Sequence, residues 1–166
     1  MWKEISHYFK EYPKQKTIAL TMMELGLKVT SNRIYCGPIE LSPSKIARAL
    51  HVDRRAVSAT IQTISNQPQL KKIFSKLLPT CHLKDVAPEM RWGVIEIIPT
   101  DPSQPGILAA VATIIAENNI SIRQAIVDDV ELSAEPRLFI ITETAIPGSL
   151  LPVIRKAKGV KALIMY

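Results

Sequence analysis

The sequence predicts an α+β chain in two parts: a helical N-terminal part and a βαββαβ part that occupies the C-terminal end. Three observations carry that reading. Apolar residues recur at spacings of three and four through most of residues 1–78, whereas beyond residue 92 short β-branched runs alternate with two helical stretches. Charge divides at the same place: residues 1–91 hold 15 Lys+Arg against 7 Asp+Glu, and residues 92–166 hold 6 against 8. Between them, residues 79–91 contain Pro79 and Pro88 and no clear period, and are assigned to a linker joining a domain at 1–78 to one at 92–166.

The helical part reads in order as follows. Trp2, Ile5, Tyr8, Phe9 and Tyr12 share one helix face. Pro13 suits the first turn of a second helix, since its fixed φ is already helical; Ile18, Met22, Leu25 and the neighbouring Leu20 and Met23 form that helix's apolar side and Gly26 ends it. Val29 to Leu41 contains Asn32, Gly37 and Pro38 and reads as a loop, with a short strand at Arg33-Ile34-Tyr35. Ser42, ahead of Pro43, caps the next helix, and Asp53 caps another that runs to about Ser65. Pro68 opens a last helix through Leu77 or Leu78.

In the C-terminal part, Val94-Ile95-Glu96-Ile97-Ile98 is a short β-branched strand and Ile107 to Glu117 a strongly apolar helix. Ile120 to Val127 alternates as a strand, and Asp128 to Pro136 supplies a hairpin turn into a third strand, Arg137 to Thr144. Pro147 to Lys158 is a helix ended by Gly159, and Val160 to Met165 is the fourth strand. That order is a ferredoxin-like unit.

Composition narrows the function classes. Hydrophobic residues make up 47% of the 166 and charged residues 22%, a globular balance. No apolar run approaches the ~20 residues a bilayer requires, and the N-terminus has no signal-peptide pattern, so a cytoplasmic protein is expected. Cys36 and Cys81 sit in unrelated contexts, and neither they nor His51 and His82 show paired ligand spacing, so neither a disulfide nor a metal site is expected. No nucleophile–base order and no phosphate-binding loop is recognisable, so neither an enzyme nor a cofactor is expected.

The basic part contains a helix-turn-helix candidate between residues 43 and 65. Such a motif needs a small residue where the second helix crosses the first, and Ala47 provides it. Ile46, Leu50, Val52, Val57 and Ile61 stand where apolar side chains must fill the angle. This spacing resembles helix-turn-helix regulators, in which the start of the second helix enters the major groove. The resemblance points to Arg54, Arg55, Ser58 and Gln62 as contacts to double-stranded DNA, arginine being suited to guanine edges and phosphates alike. His51 stands where glycine is usual, and Thr60 where a larger apolar residue is usual. A plain helical hairpin with solvated arginines is the competing reading.

In the acidic part, Asp101 through Pro105-Gly106-Ile107-Leu108 leads from a strand exit into a helix, and Asn119-Ile120-Ser121-Ile122 opens the next strand. Together with the element order over Trp92 to Tyr166, these stretches resemble the ACT domain, a regulatory module that binds amino acids. The resemblance implies a homodimer, with a further step to a higher oligomer left open, and an effector held between the loop–helix junction of one chain and the second-strand opening of its partner. Carried over, the ligand-binding residues are Asp101, Gln104, Gly106, Ile107, Ser121 and Arg123. The loop carries an extra Pro-Ser-Gln, and Ser121 replaces the usual asparagine. An ACT-like dimerisation domain without a ligand is the competing reading here.

As a whole, the chain resembles archaeal regulators of amino-acid metabolism that join a helix-turn-helix to an ACT domain. The resemblance implies a ligand-responsive transcriptional regulator. The alternative is an allosteric or interaction subunit that docks on a metabolic enzyme and does not bind DNA.

Overall fold

A computed structural model describes residues 1–166, which divide into two compact units, Met1–Cys81 and His82–Tyr166.

The N-terminal unit is built from α1 (Trp2–His7), α2 (Pro13–Glu24), an antiparallel sheet β1 (Lys28–Thr30), β2 (Arg33–Cys36) and β3 (Ile39–Leu41), then α3 (Pro43–Ala49), α4 (Arg54–Asn66) and α5 (Pro68–Phe74). Trp2, Ile5, Phe9, Ile18, Met22, Ile34, Ile64, Leu70 and Phe74 are buried within it. Helix α2 ends as its sequence implies. Gly26 takes φ +62, the Leu27 N–H donates to the Met22 carbonyl at 2.7 Å, and the Gly26 N–H donates to the Met23 carbonyl at 3.1 Å, the two bonds of a Schellman cap. Any side chain at Gly26 would collide with the backbone, because a Cβ there would lie 2.2 Å from the Leu78 carbonyl oxygen.

Four expectations change in this unit. The first helix stops at His7, and Phe9 is buried from a turn beyond it while Tyr12 is exposed. Leu25 is also exposed, because it caps α2, and Ala19 joins Ile18, Met22 and Met23 on the buried side. Residues 28–41 form a three-stranded meander. The loop reading fails there because each strand is only three or four residues long, too short to display a period. Helix α5 ends at Phe74, short of Leu77.

The C-terminal unit contains β4 (Gly93–Pro99), α6 (Ile107–Glu117), β5 (Ile122–Val127), β6 (Leu138–Thr142), α7 (Leu151–Arg155) and β7 (Val160–Met165). The sheet is antiparallel with spatial order β5-β6-β4-β7, the ferredoxin-like arrangement. Alternation along the strands gives it two apolar faces. Ile95, Ile97, Leu138 and Ile140 pack with Ile107, Val111 and Ile115 of α6 and Ile154 of α7. Val94 and Ile141 face the other way, where Ala87, Leu83 and Trp92 cover them. A 3-10 turn, Gly148–Leu150, precedes α7, so the expected helix over 147–158 is shorter than its sequence period implied.

That second apolar cluster changes the reading of residues 79–91 as a linker. Residues 82–91 belong to the C-terminal unit and lie along its sheet. Ala87 is fully buried, and the Leu83 N–H donates to Oε1 of Gln124 on β5 at 2.9 Å. The segment has no period of its own because its fold is dictated by the sheet beneath it.

Candidate functional site

Two places gather the polar residues singled out in the sequence, one in each unit.

In the N-terminal unit, Ser42 caps α3 by accepting the Lys45 N–H at 3.3 Å, and Asp53 caps α4 by accepting the Arg55 N–H at 2.6 Å. Both side chains satisfy amide groups that lack a partner within the helix. The turn between the helices is closed by the Val52 N–H donating to the Ala47 carbonyl at 3.0 Å. His51 in this turn has φ +52, the left-handed conformation that glycine adopts at least cost. Ala47, Val57 and Ile61 are buried between the helices, and Ile46, Leu50 and Val52 are half-buried around them. Thr60 is fully buried, and its hydroxyl donates to the Ala56 carbonyl at 2.8 Å, so the polar group is satisfied within its own helix.

Arg54, Arg55 and Gln62 are exposed and Ser58 is half-buried. All four border one open hollow of about 420 Å³ at the start of α4, together with Asp53 and Ala59. The four residues therefore share a single outward surface, with both guanidiniums at its N-terminal end.

In the C-terminal unit, Gly106 has φ +92 and opens α6 without any side-chain cap. Gly159, at φ +84, lets the chain pass close to this junction: a Cβ there would sit 2.7 Å from Cγ1 of Ile107. Gln104, Gly106 and Ile107 line a cleft of about 140 Å³. Its opposite wall comes from the β5–β6 hairpin, through Val127, Asp128, Pro136, Arg137 and Leu138.

The other three expected ligand residues do not line this cleft. Asp101 is exposed and accepts the Ser103 N–H at 2.9 Å, which shapes the loop. Ser121 is exposed at the opening of β5, where its carbonyl accepts the Glu143 N–H at 2.9 Å. Arg123 lays its guanidinium over the Trp92 ring, 4.0 Å from the centroid, and lies 3.7 Å from Glu143. The cleft thus brings Gln104, Gly106 and Ile107 together; Asp101 stands beside them in the loop, its carbonyl accepting the Gln104 N–H at 3.0 Å, without lining the cleft, and Ser121 and Arg123 do not line it either. Sequence reasoning missed the hairpin wall. The exposed Val127 beside Asp128 was the available signal, an apolar residue at a strand end next to a turn carboxylate.

Arg137 connects the cleft to a nearly buried ionic group on the other face of the sheet. Its Nε lies 3.4 Å from Glu96, which is 7% exposed. Glu96 also accepts from Nζ of Lys84 at 3.1 Å and from the Tyr166 hydroxyl at 2.6 Å. Burial pushes the Glu96 carboxyl up, but the Tyr166 hydroxyl, the Lys84 ammonium and Arg137 outweigh it and hold the group below the usual carboxylate range. Tyr166 and Glu96 in turn hold Lys84 above its ordinary range against the opposing pull of burial. The Lys84 ammonium also sits 4.2 Å from the Tyr166 ring centroid and 5.0 Å from that of Phe139. This group ties residues 82–91 to the sheet.

Comparison with known proteins places one family on this unit. Residues 102–160, within the C-terminal unit, match the model of the ACT domain. No curated protein matches the chain. Among solved structures, a glycine-to-threonine mutant of Rv3291c is similar at 15% identity, covering 89% of this chain and 88% of that one with a TM-score of 0.31. No helix is long and apolar enough to cross a membrane.

Proposed function

We propose that the protein is a ligand-responsive transcriptional regulator of amino-acid metabolism, with a helix-turn-helix at about 43–65 that binds double-stranded DNA and an ACT domain that senses an amino acid. The observation that carries the DNA-binding half is the start of α4. Two exposed guanidiniums, Arg54 and Arg55, stand on a helix that packs against α3 across a turn with His51 at positive φ. The sensing half is supported by the ACT match over 102–160. ACT domains typically bind small-molecule effectors, and neither half of this reading calls for catalysis. A homodimer through the ACT domain would present two recognition helices to half-sites about one helical turn apart. Effector binding that alters their spacing must change DNA affinity, and DNA must then change effector affinity by the same factor.

The test is duplex binding as a function of salt. The full chain should bind genomic fragments with an affinity that falls steeply between roughly 50 and 200 mM salt, the mark of phosphate contacts. Arg54→Ala with Arg55→Ala should abolish it while circular dichroism stays unchanged. If the wild-type chain binds no duplex even at low salt, the regulator reading fails and a subunit that docks on an enzyme takes its place.

A further inference from the structure

The sheet of the C-terminal unit has two edges, β5 and β7. The effector position implied by resemblance involves the opening of β5, and β7 lies at the opposite edge. We propose that the outer edge of β7, with the hollow between it and α7, is a docking site for an extended acidic segment of a partner protein, which adds to the sheet as a further strand. The proposal depends on neither DNA binding nor effector binding.

The backbone supplies the ladder. The Tyr166 N–H donates to the Val94 carbonyl at 3.1 Å, and Ile95 opposite Met165, Glu96 opposite Ile164 and Ile97 opposite Leu163 continue the same register. Hydrogen-bonded and non-hydrogen-bonded pairs alternate along an antiparallel ladder. The N–H and C=O groups of Leu163 and Met165 therefore turn away from β4, toward an edge with no strand beside it. Such an edge is a template for a further strand, held by main-chain hydrogen bonds and selected by alternate side chains. Half of those side chains fall on the α7 side of the sheet, where Leu163 packs and Met165 is 50% exposed. An open hollow of about 680 Å³ lies on that side, walled by Leu151, Pro152, Ala162 and Leu163.

Charge identifies the occupant. Arg155 and Lys156 border the same hollow at the end of α7, and Lys158 and Lys161 are exposed where the chain turns into β7. No Asp or Glu occurs between Thr144 and Tyr166. The other two cations of residues 92–166, Arg123 and Arg137, stand beside carboxylates, and none of these four does. A lysine on an edge strand guards against aggregation, and Lys161 alone would serve that end; it does not account for Arg155 and Lys156, which stand off the edge. A DNA backbone would answer the charge, but it brings no peptide amides to the ladder and no aliphatic side chains to the hollow. The cations gather at the start of β7 and the aliphatic walls extend along it. A strand added antiparallel to β7 therefore carries aliphatic residues first and acids after them.

Fluorescence anisotropy of the full chain with a labelled, end-capped peptide tests this, the probe being six alternating threonines and valines followed by four glutamates. It should bind at least tenfold more tightly than the same peptide ending in four lysines, and more weakly as salt rises. Arg155→Glu with Lys156→Glu should weaken it at least tenfold while circular dichroism stays unchanged. Methylating every second backbone nitrogen of the probe keeps its side chains and blocks one edge; one of the two phases should lose at least tenfold in affinity. Amide exchange at Leu163 and Met165 should slow when the probe binds. Equal binding of both methylated probes, or slowed exchange at β5 in place of β7, overturns strand addition at this edge. If the charge reversals leave the probe unaffected and weaken duplex DNA instead, the four cations serve DNA and the proposal falls. Absence of probe binding at low salt overturns it as well, and the DNA-binding and effector readings stand in each of these cases.

Discussion

Two groups of cations, one in each unit, are used in opposite ways. In the C-terminal unit, Lys84 and Arg137 are both drawn onto the nearly buried Glu96, and Arg123 is stacked on Trp92 beside Glu143. At the start of α4 in the N-terminal unit, Arg54 and Arg55 are exposed on a helix whose adjoining carboxylate, Asp53, is occupied in capping. An arginine that closes an internal ion pair contributes to the fold. One left exposed on a rigid helix contributes little to stability and keeps its charge available to a partner. The excess of basic residues over 1–91 therefore indicates function only together with where those residues stand.

That contrast can be broken by mutation, and the largest effect is expected at Glu96. Glu96→Ala should cost about 3 kcal/mol in chemical denaturation, since it strands the Lys84 ammonium and the Tyr166 hydroxyl and leaves Arg137 only its pair with exposed Glu135. A loss below about 1 kcal/mol would show that these cations are as free as those of α4. The same group sets a pH limit. A carboxyl held below its ordinary value of 4.5 contributes stability above that pH and loses it as pH falls through the depressed folded value. Lys84, held above 10.5, contributes below that pH and loses its contribution as pH rises through the raised value. Glu96→Gln should therefore flatten the acid limb of the stability profile, measured by urea titration across pH.

A smaller effect is expected at Asp53. Asp53→Ala removes the α4 cap and should cost about 1 kcal/mol, seen as a lower urea midpoint with unchanged slope. Arg54→Ala and Arg55→Ala should each shift stability by less than about 0.5 kcal/mol, as surface changes do; a larger loss would mean the guanidiniums serve the fold. Thr60→Val should come closest to zero, because the hydroxyl bonds only to a carbonyl of its own helix and the valine fills the same space.

The sequence was most informative where local rules decide the structure. Glycines 26 and 159, the caps Ser42 and Asp53, and the β-branched run of β4 each specify their conformation within a few residues. The meander β1–β3 was illegible beyond its middle strand because strands of three residues carry no alternation. Residues 82–91 were illegible for a different reason: Ala87 is buried only because Val94 and Ile141 lie beneath it. The cleft divides along the same line. Its Gln104–Ile107 side follows from a loop–helix junction that can be read in one stretch, and its Asp128–Leu138 side depends on the hairpin folding over to meet that junction. His51 shows the reverse case, a residue that departs from the expected type and yet holds the expected backbone angle.

The strand order also bears on the timing of folding during synthesis. The pairs that make up the N-terminal meander lie within fourteen residues, Lys28 to Leu41, so they can form soon after they leave the ribosome. Strand β4 has no such neighbour. Its partners are β6, which begins at Leu138, and β7, which begins at Val160, so both of its hydrogen-bonding edges stay open while some forty residues are synthesised between it and β6. An apolar run of this kind, Val94 to Ile98, is a segment that chaperones shield and that aggregates when they do not. Glu96 in its centre places a charge in that run throughout the wait. The residue that later binds the finished sheet together thus also serves, before the sheet exists, to keep its central strand in solution.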